Sequence, residues 1–434
     1  MLVAQRVCIS HAVHREHLQT RQRPCGAHKR LQAQRSSADT LLSCTPDAST
    51  VWGAAALVAG TTVGAGILAL PAETAAAGLV PSVCAVSGAW GYSVLTGLLL
   101  AEVALNAAEE SDTSDASFVS LAGRTLGPIG GATASAGQFF LSGVLLVAYT
   151  ARGGEVLGRL AGVPSGAGAA AFTLALGLLC AAAPPAALDA ANSLLLALLL
   201  VAFAALLAAA APGIQPEAFS VADWTALPHA LPVVALSFVY HNVVPLIVRT
   251  CRGHAPSVRA AIVRGTALPW AMYVCWEVAV LGSADTSNAG ADPLAGGGLA
   301  VDAFALLAVA TSYVGFALSL SDMLLDTPPF RATQQSRRSD AGVPLAPLVL
   351  ALLPPCLCAV CEPGIFLRAL ETAGVGGALA LCGILPGAMV LAERRRSRDR
   401  GEKTGAQLAP GGDATARAVM LVGAAVVAAD TLHL

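Results

Sequence analysis

Among the side chains able to carry a charge in or at the ends of long apolar runs, five are the candidates for chemistry: Glu102, His241, Arg249, Glu277 and Asp322. His241 is the natural group to change charge inside a closed cavity, because imidazole titrates nearest neutrality. A neutral histidine bonded to a backbone carbonyl is the bland alternative. Glu102 and Asp322 fall near the ends of their runs and suit a charge pair with Arg249 that opens and closes as a gate. Glu277 is placed toward the opposite end of its own run. Ionisable groups inside such runs are functional candidates, although acids so near the ends can also reach water. The chemistry on offer is proton or ion handling. No nucleophile stands beside a base, and Cys356, Cys358 and Cys361 have neither a histidine nor a second pair nearby, so they read as small hydrophobes.

The backbone offers a second kind of chemistry. Residues 60–71 read Gly-Thr-Thr-Val-Gly-Ala-Gly-Ile-Leu-Ala-Leu-Pro within an apolar run that starts near Val51. Gly60, Gly64 and Gly66 weaken the helix, and the hydroxyls of Thr61 and Thr62 compete for backbone groups. Backbone left unpaired in hydrocarbon persists only where it lines a cavity or is buried in protein. A small-residue packing face is the alternative, since Gly60 and Gly64 are four apart. A second interruption lies in 226–250. Pro245 there lacks an N–H and its ring opposes the carbonyl of His241, while Ser237 and Asn242 favour turns. A simple proline kink is the alternative at that point.

The elements that must position these groups are membrane spans. Of 434 residues, 56% are hydrophobic and only 12% charged, and mean hydropathy is +0.68. A soluble domain carries about a quarter charged residues, so the chain is read as an all-α integral membrane protein. Taking about 20 apolar residues as one crossing, eleven spans are expected at 51–71, 80–106, 130–150, 165–183, 188–211, 226–250, 259–281, 300–322, 342–360, 369–391 and 415–433. With the N-terminus inside, 22 of the 25 lysines and arginines fall on the inner face, leaving Arg152, Arg159 and Arg368 outside. One missed or invented span would destroy that asymmetry. Residues 1–50 differ: seven basic residues stand against the single acid Glu16 before residue 38, with no apolar signal core. Such an Arg-rich leader reads as an organellar transit peptide, with a plastid envelope as destination. Its alternative is a basic cytosolic tail on a plasma-membrane protein.

The interrupted spans are the first and the sixth. If ten spans form two five-helix units, 51–211 and 226–391, these are corresponding helices of inverted repeats, because five is odd. Paired interruptions of that kind are the sequence pointer to a transporter's central site. Residues 392–434 then supply a basic loop and an eleventh helix.

At the same residues the chain resembles the aromatic amino acid permeases, the tryptophan/tyrosine-specific family of the amino acid/polyamine superfamily. The likeness is carried by Ala59 to Pro71, by Leu98-Leu-Leu-Ala-Glu-Val103 and by Ala148-Tyr-Thr-Ala-Arg-Gly-Gly-Glu155. It continues in Leu231 to Pro245, in Trp276-Glu-Val-Ala-Val-Leu-Gly282 and in Ala310 to Asp322. The resemblance implies a leucine-transporter-like 5+5 inverted repeat plus one C-terminal helix. It also implies import of tyrosine or tryptophan by proton symport, with no cofactor, no nucleic acid, and lipid as the surrounding medium. The basic leader looks like that of plastid-targeted relatives. Glu277 stands where glutamine is more usual, and Arg152 where a small residue is expected.

A zwitterionic guest must replace the water around both its charges. The freed N–H groups near Gly64, Ala65 and Gly66, at the positive end of a half-helix, suit its carboxylate. Carbonyls between Ser237 and His241, with the hydroxyls of Thr61, Thr62 or Ser237, suit its ammonium. Phe238, Tyr240 and Tyr149 suit an aromatic ring, each with ordinary packing as the alternative. Thr311 and Ser312 leave sodium coupling open. Within the transporter class the alternative is another substrate, such as a branched-chain amino acid or a small auxin-like acid. A membrane-bound enzyme using His241 as base, and a transporter-like sensor, are the rival classes. The first lacks a partner nucleophile and the second a long soluble tail.

Overall fold

The computed structural model describes residues 46–432 apart from 65, 111–116, 221, 284–297, 326–343, 363 and 402–404. The basic leader lies outside the described residues. Those residues form helices, with no strand among them. The first span is split into α1 (Ala48–Thr62) and α2 (Gly66–Thr74). Then follow α3 (Leu79–Glu110), α4 (Phe118–Ala161), α5 (Ser165–Ala182) and α6 (Pro185–Ala210). The sixth span is split into α7 (Leu227–Leu236) and α8 (Val244–Thr250). Beyond it lie α9 (Ala255–Ser283), α10 (Leu299–Leu325), α11 (Leu345–Cys361), α12 (Phe366–Ala373), α13 (Leu385–Asp399) and α14 (Gly412–Thr431). A π-helical stretch, Gly374–Ile384, joins α12 to α13.

Among the described residues, eight helical segments are long and apolar enough to cross a membrane, α7–α8 and α12–α13 each counting as one, and the bent pair α1–α2 makes a ninth. Two of the expected eleven spans fall outside that group. Helix α11 has 17 residues, and α9 interleaves its apolar residues with Pro269, Trp270, Tyr273, Trp276 and Glu277.

The bundle shows the pattern required by lipid. Large apolar side chains such as Leu174, Leu178, Leu194, Val201 and Leu421 face outward, while Glu102, Arg152, His241 and Glu277 are buried. Glycine permits a close crossing here: a Cβ on Gly154 would lie 2.6 Å from the Cα of Ala169, so α4 and α5 meet backbone to backbone.

The expected boundaries shift where local chemistry decides them. Span three was read as 130–150, yet α4 begins at Phe118 behind a Ser117–Ser120 capping box and bends at Gly127 (φ 77°), just before Pro128. The turn expected at Pro184 to Leu188 is shorter, because Pro185 sits in the first turn of α6, where its missing N–H costs nothing. The run after Arg394, read as a basic loop, continues α13 as helix to Asp399.

The three arginines expected outside each meet an acid. Arg152 bonds Glu155 at 2.8 Å, Arg159 bonds Asp302 at 2.7 Å, and Arg368 pairs with Glu362. On the other side, Arg394 grips Glu102 through both carboxylate oxygens at 2.8 and 2.9 Å and reaches Asp413 at 3.0 Å. Arg124 pairs with Glu393 beside it.

Candidate functional site

Helix α1 stops because Val63 turns extended (φ −69°, ψ 109°), and α2 departs at 53° to it. The hydroxyls of Thr61 and Thr62 return to the carbonyls of Leu57 and Val58, each at 2.8 Å. This back-bonding spares hydroxyl donors from the apolar interior and loosens the last turn. Helix α2 opens at Gly66, so its first N–H groups point into the break. The second interruption starts after Leu236. Tyr240 leaves helical space (φ −142°, ψ 4°), and a short 3-10 turn, His241–Val243, leads into α8. Pro245 stands in the first turn of α8. It therefore starts the second half-helix and does not kink a continuous one.

The two breaks touch. A Cβ on Gly66 would lie 2.6 Å from Ser237 Oγ and 3.0 Å from Ser237 Cα, so only glycine admits the chain of the sixth span so close. Tyr273 of α9 spans both: its hydroxyl lies 2.8 Å from the Thr62 carbonyl oxygen and 3.0 Å from that of Ser237. Ser93 Oγ donates to Phe238 O at 2.9 Å, and Tyr240 OH donates to Ser93 O at 2.9 Å. Two of the carbonyls expected to await a ligand ammonium, those of Ser237 and Phe238, thus already accept from α9 and α3.

Beside this junction lies an open cavity walled by Thr61 and Gly60 of α1, Asn242 after the second break, Asn192 of α6, and Ser312 and Phe316 of α10. A smaller cavity on the other side of Phe316 is lined by Thr61, Gln138, Val239, His241 and Asn242. The rings of Phe316 and Tyr149 are 5.9 Å apart. A concave lining that is mostly apolar with a few polar groups is the usual composition of a small-molecule site.

Comparison with known sequences decides what kind of bundle this is. The model of the tryptophan/tyrosine permease family matches residues 47–289 and 297–430. The chain belongs to that family. A relative from Haemophilus influenzae, "Tyrosine-specific transport system 2", is 28% identical over 363 residues, which is 77% of this chain and 86% of the relative. "Tryptophan-specific transport protein" of the same organism is 26% identical over 379 residues, 79% of this chain and 88% of that one. The Pseudomonas aeruginosa protein of the same name is 26% identical, over 79% of this chain and 86% of its own.

The permease places its predicted residues unevenly. Thr61 lines both cavities. Gly64 backs on to α10, where a Cβ would lie 2.6 Å from Ser312 Oγ; Ala65 lies outside the described residues. Thr62, Ser237, Phe238 and Tyr240 are buried in the junction itself. Tyr149 stands behind Phe316 rather than in the cavity wall. His241 is buried with Nε2 2.8 Å from Thr96 Oγ1, its ring stacked on Tyr240 at 4.9 Å. Its bonding partner is a hydroxyl, where a carbonyl was the alternative weighed.

The Glu102 half of the expected gate is corrected. Glu102 is held by Arg394, not Arg249, because α13 continues past the bilayer edge and lays Arg394 against α3. Asp322 is half-buried at the end of α10. Glu277 is wholly buried and accepts from Thr74 Oγ1 at 3.0 Å, which links α9 to α2. Sequence reasoning missed Tyr273, Phe316 and Asn192. For the first two no polar signal distinguishes them from packing aromatics, whereas Asn192 is an isolated carboxamide in the run Ala190-Ala-Asn-Ser-Leu-Leu-Leu-Ala197.

Proposed function

We propose that this permease is a secondary transporter that moves an aromatic amino acid, tyrosine or tryptophan, across a membrane together with protons. One observation carries the reading. Two interrupted spans meet on the hydroxyl of Tyr273, and the residues flanking both interruptions wall the same cavity. The start of α2 presents the positive end of a half-helix to a carboxylate. Thr61 and the unbonded polar groups around Asn242 receive the ammonium, and Phe316, backed by Tyr149, meets the ring. The relatives' printed specificities, tyrosine and tryptophan, support the substrate class. His241 is the proton carrier in this reading, since it touches the smaller cavity and so has a path for exchange. Residues 51–211 and 226–391 act as inverted units rocking about the junction. The leader directs the protein to a plastid envelope.

Uptake into proteoliposomes tests this directly. Radiolabelled tyrosine and tryptophan are expected to accumulate when the outside is made acid, and a protonophore is expected to abolish accumulation. Vesicles that equilibrate neither amino acid would contradict the reading.

A further inference from the structure

Helix α6 turns two different faces to its surroundings. Leu194, Leu198 and Val201 are exposed on the lipid side. Leu188, Asn192 and Leu196, each four residues apart, share the opposite face and all line the large cavity. A carboxamide between two leucines on an inward face has no helical purpose, because asparagine lowers helix propensity. Asn192 Oδ1 is buried and accepts no hydrogen bond, and the same holds for Asn242 Oδ1 across the cavity. Buried polar atoms without partners are rare, and each asks for an occupant.

The shape of the cavity says which occupant. Its break-side wall carries Thr61 and Asn242, α10 adds the hydroxyls of Thr311, Ser312 and Ser319, and the α6 wall presents Leu188 and Leu196 with Asn192 as its polar group. A substrate whose charged end sits at the breaks therefore extends its side chain toward α6. We infer that Asn192 is a specificity-determining residue, whose Oδ1 accepts from the polar edge of the substrate ring, a phenolic O–H or an indole N–H. This rests on the aromatic amino acid reading above. A site built to bond such a group rejects the analogue lacking it, because the site's own polar atom is then left unpaired. Phenylalanine is that analogue.

The test compares tyrosine with phenylalanine in reconstituted wild type, Asn192→Leu and Asn192→Ala. Leucine matches its neighbours on the face, and alanine adds no atom that must be accommodated. The ratio of uptake efficiencies, tyrosine over phenylalanine, is expected to fall at least about tenfold in both variants, with phenylalanine becoming an effective competitor. Equilibrium binding of the two labelled amino acids to detergent-solubilised protein gives the same ratio without transport, so a variant that turns over slowly is still read. A ratio within about twofold of wild type in both variants, against the tenfold expected of a reading carboxamide, overturns the inference alone. Wild-type protein that neither binds nor carries any aromatic amino acid overturns it together with the reading beneath it.

Discussion

Tyr273 is a single hydroxyl shared between two carbonyls that belong to different spans. Replacing it with phenylalanine keeps the ring, which packs edge-on to Phe238 at 5.2 Å, and removes only the tie. A buried carbonyl that loses its donor costs about 1–3 kcal/mol. The Tyr273→Phe variant is expected to insert normally but to lose about tenfold or more in maximal uptake, the kinetic equivalent of the lower part of that range. Initial-rate measurements at saturating tyrosine check it. Proton coupling separates two other residues. His241→Gln is expected to abolish accumulation driven by an acid exterior while leaving exchange of internal for external tyrosine intact. Glu277→Gln, which preserves an acceptor for Thr74, is expected to keep gradient-driven accumulation; its collapse there would move the proton carrier from His241 to Glu277. The interruptions themselves were legible, since glycine, threonine and proline act locally. The partner of Glu102 was not. Reading Arg394 as loop hid it, because charge near a span end looks alike whether it ends the helix or extends it.

At the scale of elements, the molecule depends on two contacts that glycine and charge make possible. Gly66 has no room for a Cβ against Ser237, so Gly66→Leu is expected to push the half-helices apart and abolish uptake while membrane insertion persists, as judged by surface labelling and monodisperse elution. Normal uptake by that variant would place the junction outside the transport path. The second contact joins α3 to α13 and α14 through Glu102, Arg394 and Asp413. Both Glu102 and Arg394 are nearly fully buried, with side chains 2% and 3% exposed. Removing one member of such a pair strands a charge and costs about 3–5 kcal/mol. Glu102→Gln is therefore expected to lower thermal stability in detergent clearly, and a Glu102→Leu/Arg394→Leu double variant to recover most of the loss. A double variant as unstable as the single changes would show that the pair itself, not the stranded charge, matters. Helix identity was readable from hydropathy for most spans. Helix ends were not, because Gly127, Pro185 and the π-helical stretch Gly374–Ile384 shift them through backbone geometry that composition does not display.

For the whole molecule, the ion pairs and loop contacts fix which helix ends share a face, and so constrain how often the chain crosses the bilayer. Arg159 closes α4 and bonds Asp302 at the start of α10, so an even number of crossings lies between those points. Helices α5, α6 and α7–α8 supply three; α9 must supply the fourth. The backbone agrees, since Gln215 N, beyond the end of α6, donates to Gly282 O at the end of α9 at 2.9 Å, which again requires two crossings between them. Arg124 at the start of α4 pairs with Glu393 near the end of α13, so the number of crossings from α4 through α13 is also even. With α9 counted as a crossing, α11 must cross too, for all its 17 residues. On this parity we expect eleven crossings, with the ends of the bundle, before α1 and after α14, on opposite faces. Epitopes inserted at Gly253, between α8 and α9, and between α9 and α10 are expected to be reached from opposite sides of sealed membrane vesicles. Epitopes flanking α11, before Pro344 and at Gly364, are expected to differ likewise. If either pair opens to the same side, the ends joined by these contacts cannot share a face in the bilayer, and the arrangement of inner and outer charges would have to be redrawn.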